Sequence, residues 1–269
     1  MEDLRKLALP DPRRGLPTLD LATLGRCGVT PLAALEAGVF PSCWVRNAHS
    51  LDAAAQARLA RSRVAVVGVG GLGGYILEEL ARIGVGSLRV VDGDVFEETN
   101  LNRQLLAEPE TIGRFKAEVA VERLRKIAPW CRAEDSPVFL DACNAPKILA
   151  GVDVVVDALG GIACRLELHE ACARLGLPVV AAAVAGWTAV VGSETPDCQG
   201  ISLLWQDTAA LDAEGQLGSL APVVALAASL QAAEVVRYLV ARQLSLGGKV
   251  LHVDLESWNW ALYEIAPGA

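Results

Sequence analysis

Residues 63–94 read RVAVVGVGGLGGYILEELARIGVGSLRVVDGD, and no other stretch limits the possible folds as much. A β-branched apolar run at 64–67 meets a cluster of glycines. An amphipathic segment follows, then a second apolar run at 88–91 that closes on Asp92. Short apolar runs bounded by glycine read as buried strands. Between them, Ile76, Leu77, Leu80 and Ile83 share one helical face, with Glu78, Glu79 and Arg82 opposite. The order is strand, glycine turn, helix, strand, acid. Gly68, Gly70 and Gly73 fit G-x-G-x-x-G, in which glycine makes the tight turn and lets backbone N–H groups approach a phosphate at the helix N-terminus. The fingerprint predicts a nucleotide. Taken alone it suits NAD or FAD as well as ATP, with Asp92 at the ribose.

The rest of the chain extends this unit. A helix is expected at 114–127, with Ala117, Ala120, Leu124 and Ile127 inward and Pro129 ending it. A parallel-type strand at 152–156 closes on Asp157. Residues 166–175 read as helix, 178–184 as strand and 187–191 as its antiparallel neighbour. Residues 193–218 form a long polar connection without periodicity, and connections of that length are usually functional. A nearly all-apolar helix at 220–241 precedes two alternating segments, 249–255 and 258–265, that read as a terminal hairpin. The expected fold class is α/β and Rossmann-like: a mixed, mainly parallel sheet with helices on both faces and a C-terminal antiparallel extension. Residues 1–48, punctuated by five prolines, read as an arm or helical cap with short helices at 18–24 and 31–37, the second N-capped by Thr30. Residues 49–269 read as one nucleotide-binding domain, entered by a helix at 52–61.

Composition bounds the function classes. A net charge of −8 argues against nucleic acid as a partner, since phosphate binding wants a basic surface. The seven cysteines include no C-x-x-C pair, and their odd, scattered placement predicts reduced, mostly buried thiols in a cytoplasmic protein. The first residues lack the apolar run of a signal peptide. Two uncharged stretches, 175–193 and 215–233, are long enough to span a bilayer. Their internal Pro, Gly, Ser and Gln residues make them buried core instead, so no membrane is expected. His49, His169 and His252 look isolated, and Trp258 and Trp260 read as sheet-packing residues.

Asn100 and Arg103 lie in the irregular segment after the second strand, and Lys116 begins the next helix. In an open α/β sheet such residues gather at the C-terminal edge of the strands, where ligands bind. Two cations beside a phosphate chain suit the stabilisation of charge during attack on a phosphoryl group. The runs GVGGLGG, VVDGDVFEETNLNRQ, IGRFKAE and GSLAPVVALAASLQAAE resemble the MoeB/ThiF/HesA family, related to the adenylation domains of ubiquitin-activating enzymes, over roughly residues 46–255. The resemblance implies an ATP-dependent adenylyltransferase. Such an enzyme activates the C-terminal Gly-Gly carboxylate of a small ubiquitin-like sulfur-carrier protein, uses Mg²⁺ and passes the adenylate to a sulfur donor. It implies that Gly71 lies against the phosphates and Asp92 holds the ribose, while Asn100, Arg103 and Lys116 contact the phosphates. It also implies a homodimer, with Arg46 reaching the partner's ATP.

Departures from the family pattern carry information. The family strand ends D-x-x-D-N, its second Asp binding magnesium; here the segment is Asp157-Ala158-Leu159-Gly160-Gly161. Asp157 is left as the expected metal ligand. Zinc-binding members carry two C-x-x-C pairs; Cys198 has Ile201 where its mate would stand, so no zinc site is expected. No cysteine lies at 199–220, which predicts an external sulfur donor, with Cys198 a bystander. Two rivals remain: a tRNA threonylcarbamoyladenosine dehydratase-like enzyme, disfavoured by the acidic charge, and a non-catalytic nucleotide-binding scaffold, favoured by Gly160.

Overall fold

Val64 and Val66 turn to one face of the first strand of the βαβ unit, Ala65 and Val67 to the other, and all four are buried. A strand apolar on both faces needs cover on both, which places it inside a parallel sheet. The structure, a computed structural model, describes residues 2–205 and 213–265. Eight strands form the main sheet: β1 (Arg63–Val67), β2 (Ser87–Val91), β3 (Arg132–Ser136), β4 (Val154–Asp157), β5 (Val179–Ala185), β6 (Thr188–Glu194), β7 (Lys249–Asp254) and β8 (Asn259–Glu264). Their spatial order is β8-β7-β6-β5-β4-β1-β2-β3. The five strands from β3 to β5 are parallel, and β6, β7 and β8 continue antiparallel. Register is set through β1, where Val66 faces Val90 on one side and Val156 on the other.

The helices beyond the N-terminal segment include α1 (Ala53–Arg61), α2 (Gly71–Ile83), α3 (Lys116–Ile127), α4 (Ile162–Leu175), α5 (Ala213–Leu217) and α6 (Ala221–Ala241). α2, α3 and α6 cover one face around Ile76, Leu80, Leu124 and Val235. α4 and the short helix Ala145–Ile148 cover the other, around Leu168, Ala171 and Leu149. Among the described residues α6 alone is long and apolar enough to cross a membrane by length and composition. It lies packed on α2 and on β5 and β6. Its buried Gln231 donates from Nε2 to the carbonyls of Asp157 (2.7 Å) and Val180 (3.1 Å). Its buried Glu234 accepts from Ser193 Oγ at 3.0 Å and from the Leu246 N–H at 2.8 Å. Buried polar groups paired in this way make α6 a core helix.

The N-terminal segment adds a three-stranded sheet of two- and three-residue strands, Leu9–Pro10, Pro17–Leu19 and Phe40–Pro41, which the sequence does not predict. The expected short helices are present as Leu21–Arg26 and Pro31–Glu36, and Thr30 Oγ1 accepts the Ala33 N–H at 3.2 Å. The segment has its own apolar cluster around Leu19, Leu24 and Val39. It docks through Leu35, Phe40 and Trp44 on Ala57, with Trp44 edge-on to Trp130 at 5.6 Å.

Three expectations need correction. β3 is absent from the sequence reading because its residues, RAEDS, are polar. It is an edge strand paired only to β2, so its side chains have solvent to face. Of the seven cysteines only Cys131 and Cys172 are buried. Trp258 and Trp260 do not pack the sheet: Trp258, in the β7–β8 turn, is 78 % exposed, and β8 is the uncovered edge.

Candidate nucleotide-binding site

Gly70 is the N-cap of α2, and no side chain caps that end of the helix. The first N–H groups of α2 therefore have no helical partner and point out as an anion cradle. The turn closes only with glycine. Gly68 has φ +94°, and a Cβ there would meet Ala158 O at 2.4 Å; a Cβ on Gly73 would meet Gly68 O at 1.9 Å. Around this turn, at the C-terminal edge of the parallel strands, lies an open cavity.

Six of the residues singled out in the sequence line that cavity: Gly68, Gly70, Gly71, Asp92, Arg103 and Lys116. Asp92 closes β2 and accepts the Val69 N–H at 2.6 Å and the Asp94 N–H at 2.8 Å. Burial pushes its pKa up, and those N–H groups and Lys116 only partly offset the rise. Lys116, 7 % exposed at the start of α3, places Nζ 3.4 Å from Asp94 Oδ2. Arg103 Nη1 donates to Asn102 Oδ1 (2.9 Å) and Thr99 O (3.2 Å), which fixes it along the wall.

The structure does not bring the others to the cavity wall. Gly73 packs under the turn, against Gly68. Asn100 is buried, and its Oδ1 accepts the Glu97 N–H at 3.0 Å; it shapes the turn that carries Arg103. Arg46 is exposed on a 3₁₀ helix, Ser42–Asn47, and the neighbouring Asn47 donates to Ile83 O at the far end of α2. Asp157 is the main correction. It is 0 % exposed and fully engaged: Oδ1 accepts the Leu159 N–H at 3.0 Å, while Oδ2 takes Arg165 Nη1 at 2.9 Å and His169 Nε2 at 3.1 Å. Burial works to raise its pKa, but Arg165 and His169 outweigh burial and hold it below the usual carboxylate range. A carboxylate sealed in this way is not available to Mg²⁺ in this arrangement.

His169, which looked isolated in the sequence, bridges two acids. Its Nδ1 lies 2.5 Å from Glu194 Oε1, and although burial opposes the charge the two carboxylates push its pKa up to about 9. Glu194 Oε2 in turn accepts from Ser202 Oγ at 2.6 Å and from the Gly200 and Ser202 N–H groups at 3.2 Å, anchoring the start of the long connection. The 206–212 part of that connection lies outside the described residues.

Other wall residues escaped the sequence reading. Val138, Phe139 and Leu140, after β3, form an apolar wall beside Asp92. Gln104, 7 % exposed, lines the cavity with Oε1 lacking any donor among the described residues. Arg165, Cys164 and Glu214 also line it. A second, apolar cavity adjoins the first under the long connection, sharing Arg165, Val184 and Glu214 with it. The nucleotide fits by its chemistry: free N–H groups and two cations for phosphates, a carboxylate for hydroxyls, and an apolar wall for a base.

The chain is 34% identical over 205 residues to the SAMP-activating enzyme E1 of Haloferax volcanii, covering 74% of this chain and 75% of that protein. It is 43% identical over 129 residues to the sulfur carrier protein adenylyltransferase of Thermus thermophilus, covering 48% of each, so it is matched over about half the length of that relative. Among solved structures, E. coli MccB with ATP shares the fold, with a TM-score of 0.72 at 21% identity over 84% of this chain and 72% of that one. Residues 45–267 match the ThiF family, from the 3₁₀ helix that carries Arg46 through the glycine turn to the terminal hairpin, and the chain belongs to that family.

Proposed function

We propose that this chain is an ATP-dependent adenylyltransferase that activates the C-terminal Gly-Gly carboxylate of a small ubiquitin-like sulfur-carrier protein. The observation that carries this is the meeting of Arg103 and Lys116 with the glycine cradle and Asp92 in one cavity, since a dinucleotide site needs no paired cations at its phosphates. The names of the Haloferax and Thermus relatives support it.

The geometry supports the following roles. The N–H groups at the start of α2 hold the phosphates, and Asp92 has lone pairs left for ribose hydroxyls. Val138, Phe139 and Leu140 flank the base. The tail of the carrier reaches the α-phosphate through the apolar cavity lined by Ile162, Val190, Leu204 and Trp205. Its carboxylate oxygen forms the new bond to the α-phosphorus. The bond from that phosphorus to the bridging oxygen breaks, and pyrophosphate leaves with the electron pair. Arg103 and Lys116 stabilise the charge that builds on the phosphoryl oxygens. Mg²⁺, when bound, neutralises phosphate charge in the same way. The sulfur of an external donor then attacks the acyl carbon of the adenylate. The bond from that carbon to the phosphate oxygen breaks, and AMP leaves with the electron pair. Arg46 serves the site of a second copy.

ATP–pyrophosphate exchange with a purified Gly-Gly-ending carrier tests the proposal. Exchange is expected to depend on the carrier and to fall about 10²–10³-fold in Lys116→Met and Arg103→Ala. ATP binding without exchange for every ubiquitin-like protein of the same organism would leave a nucleotide-binding scaffold. Turnover stimulated by tRNA instead would identify the dehydratase chemistry.

A further inference from the structure

We propose that Glu214, reaching in from the long connection, supplies the carboxylate that holds the divalent cation of the bound nucleotide. This rests on the nucleotide chemistry proposed above and assigns a residue to it. Mg²⁺ at a nucleotide takes one or two carboxylates, phosphate oxygens and several retained waters. Among the described residues no three His, Cys, Asp or Glu side chains converge to hold a metal by themselves, so phosphates have to complete any such shell.

The candidates are few. Asp157 is sealed by Arg165 and His169. Asp92, each oxygen of which already accepts one backbone N–H, is assigned to the ribose hydroxyls. Of the described acids on the cavity wall, Asp94 and Glu214 remain. Asp94 stands beside Lys116 and is largely exposed. Glu214 is half-buried on α5, and no cation pairs with it among the described residues. Ser219 Oγ donates to its Oε1 at 2.8 Å and orients the carboxyl. It borders the nucleotide cavity, the apolar cavity and a smaller hollow that it shares with Arg103 and Gly161. That places Glu214 between the cation-bearing turn and the end of β4.

Two further observations point to a cation there. At Gly160 an added Cβ would meet nothing within 4 Å, so the wall is open where the strand end faces the cavity. The orphaned Gln104 Oε1 needs a donor. Phosphate oxygens only accept, whereas the waters on a hydrated cation donate. A hydrated cation between the phosphates and Glu214 fills the open space and brings donor waters into the cavity that Gln104 also lines. It also couples metal binding to the position of the connection that covers the carrier's path, because the ligand rides on that connection.

The test is Mn²⁺ binding, followed by electron paramagnetic resonance, to the full chain with a non-hydrolysable ATP analogue and no carrier present. Glu214→Gln is expected to weaken Mn²⁺ binding in the ternary complex by about tenfold or more, while metal-free analogue affinity changes by less than about twofold. The space at Gly160 allows a rescue. Gly160→Asp in the Glu214→Gln background is expected to restore Mn²⁺ affinity to within about threefold of the native chain. Native-like Mn²⁺ binding in Glu214→Gln overturns the assignment, and so does a failure of the rescue, which would trace the loss to the fold of the connection. A native chain that binds neither analogue nor Mn²⁺ overturns the nucleotide chemistry itself, and a missing carrier affects neither result.

Discussion

Asp157 and Gly160 sit three residues apart at the end of β4, and the chain has given them opposite tasks. Asp157 is buried and holds Arg165 and His169; Gly160 leaves the cavity wall open. Replacing one partner of a buried ion pair strands the other charge in a medium that solvates it poorly. Asp157→Asn keeps the shape and removes the charge, leaving Arg165 without its counter-ion and His169 with Glu194 alone. The expected cost is about 3–5 kcal/mol in urea unfolding, with the metal dependence of nucleotide binding unchanged. A stable Asp157→Asn protein with altered metal dependence would return Asp157 to the role of ligand. The sequence could not separate these roles. Asp157 and Arg165 are eight residues apart across a strand end and a glycine bend, and local spacing does not say whether an arginine turns back on the acid. Gly68, Asp92, Arg103 and Lys116 were legible because strand order alone brings them to one edge. Gln104 and Glu214 were not, because their place depends on how loops fold over that edge.

At the level of elements, one charged cluster joins β4, α4, β6 and the 3₁₀ turn Ile201–Trp205. His169 on α4 lies between Asp157 of β4 and Glu194 of β6, and Glu194 holds Ser202 on the turn. The fold raises the pKa of His169 from 6.5 to about 9. Its contribution to stability is therefore complete below about pH 6.5 and is lost as the pH rises through 9. Asp157 and Glu194, both lowered, contribute above their ordinary values and lose that contribution only in acid. Unfolding free energy is expected to fall by up to about 3 kcal/mol between pH 6.5 and 9, and His169→Gln to flatten most of that slope. An unchanged slope in the variant would place the titration elsewhere. The cluster ties the covered end of the connection to the sheet, so a loosened connection is the expected consequence of alkaline pH. The elements themselves were readable where burial imposed a pattern: 64–67, 90–91 and 154–156 are apolar because both faces are covered. β3 and the short N-terminal strands pair without burying a full face, so no period marks them.

At the level of the whole molecule, the position of Arg46 decides how many chains make one site. Asn47 donates to Ile83 O, at the last residue of α2, while the nucleotide cavity lies at its first, Gly71. Thirteen residues of helix separate those ends by about 20 Å, well beyond the reach of an arginine side chain. If Arg46 acts on a nucleotide, it acts on the nucleotide of another copy, and a twofold dimer would supply two such sites. Complementation reads this directly. Arg46→Ala and Lys116→Met chains are each expected to lose carrier-dependent exchange. Refolded together in equal amounts, about half of the dimers are mixed. In each mixed dimer one site has its own Lys116 and receives Arg46 from the other chain, while the second site lacks both. Activity is expected to return to about a quarter of the native level, and only in the mixture. If Arg46 worked within its own chain, no mixed dimer would hold a complete site and the mixture would stay inactive. If it anchored only the N-terminal segment, Arg46→Ala would keep its exchange activity, and the two-copy site would be wrong.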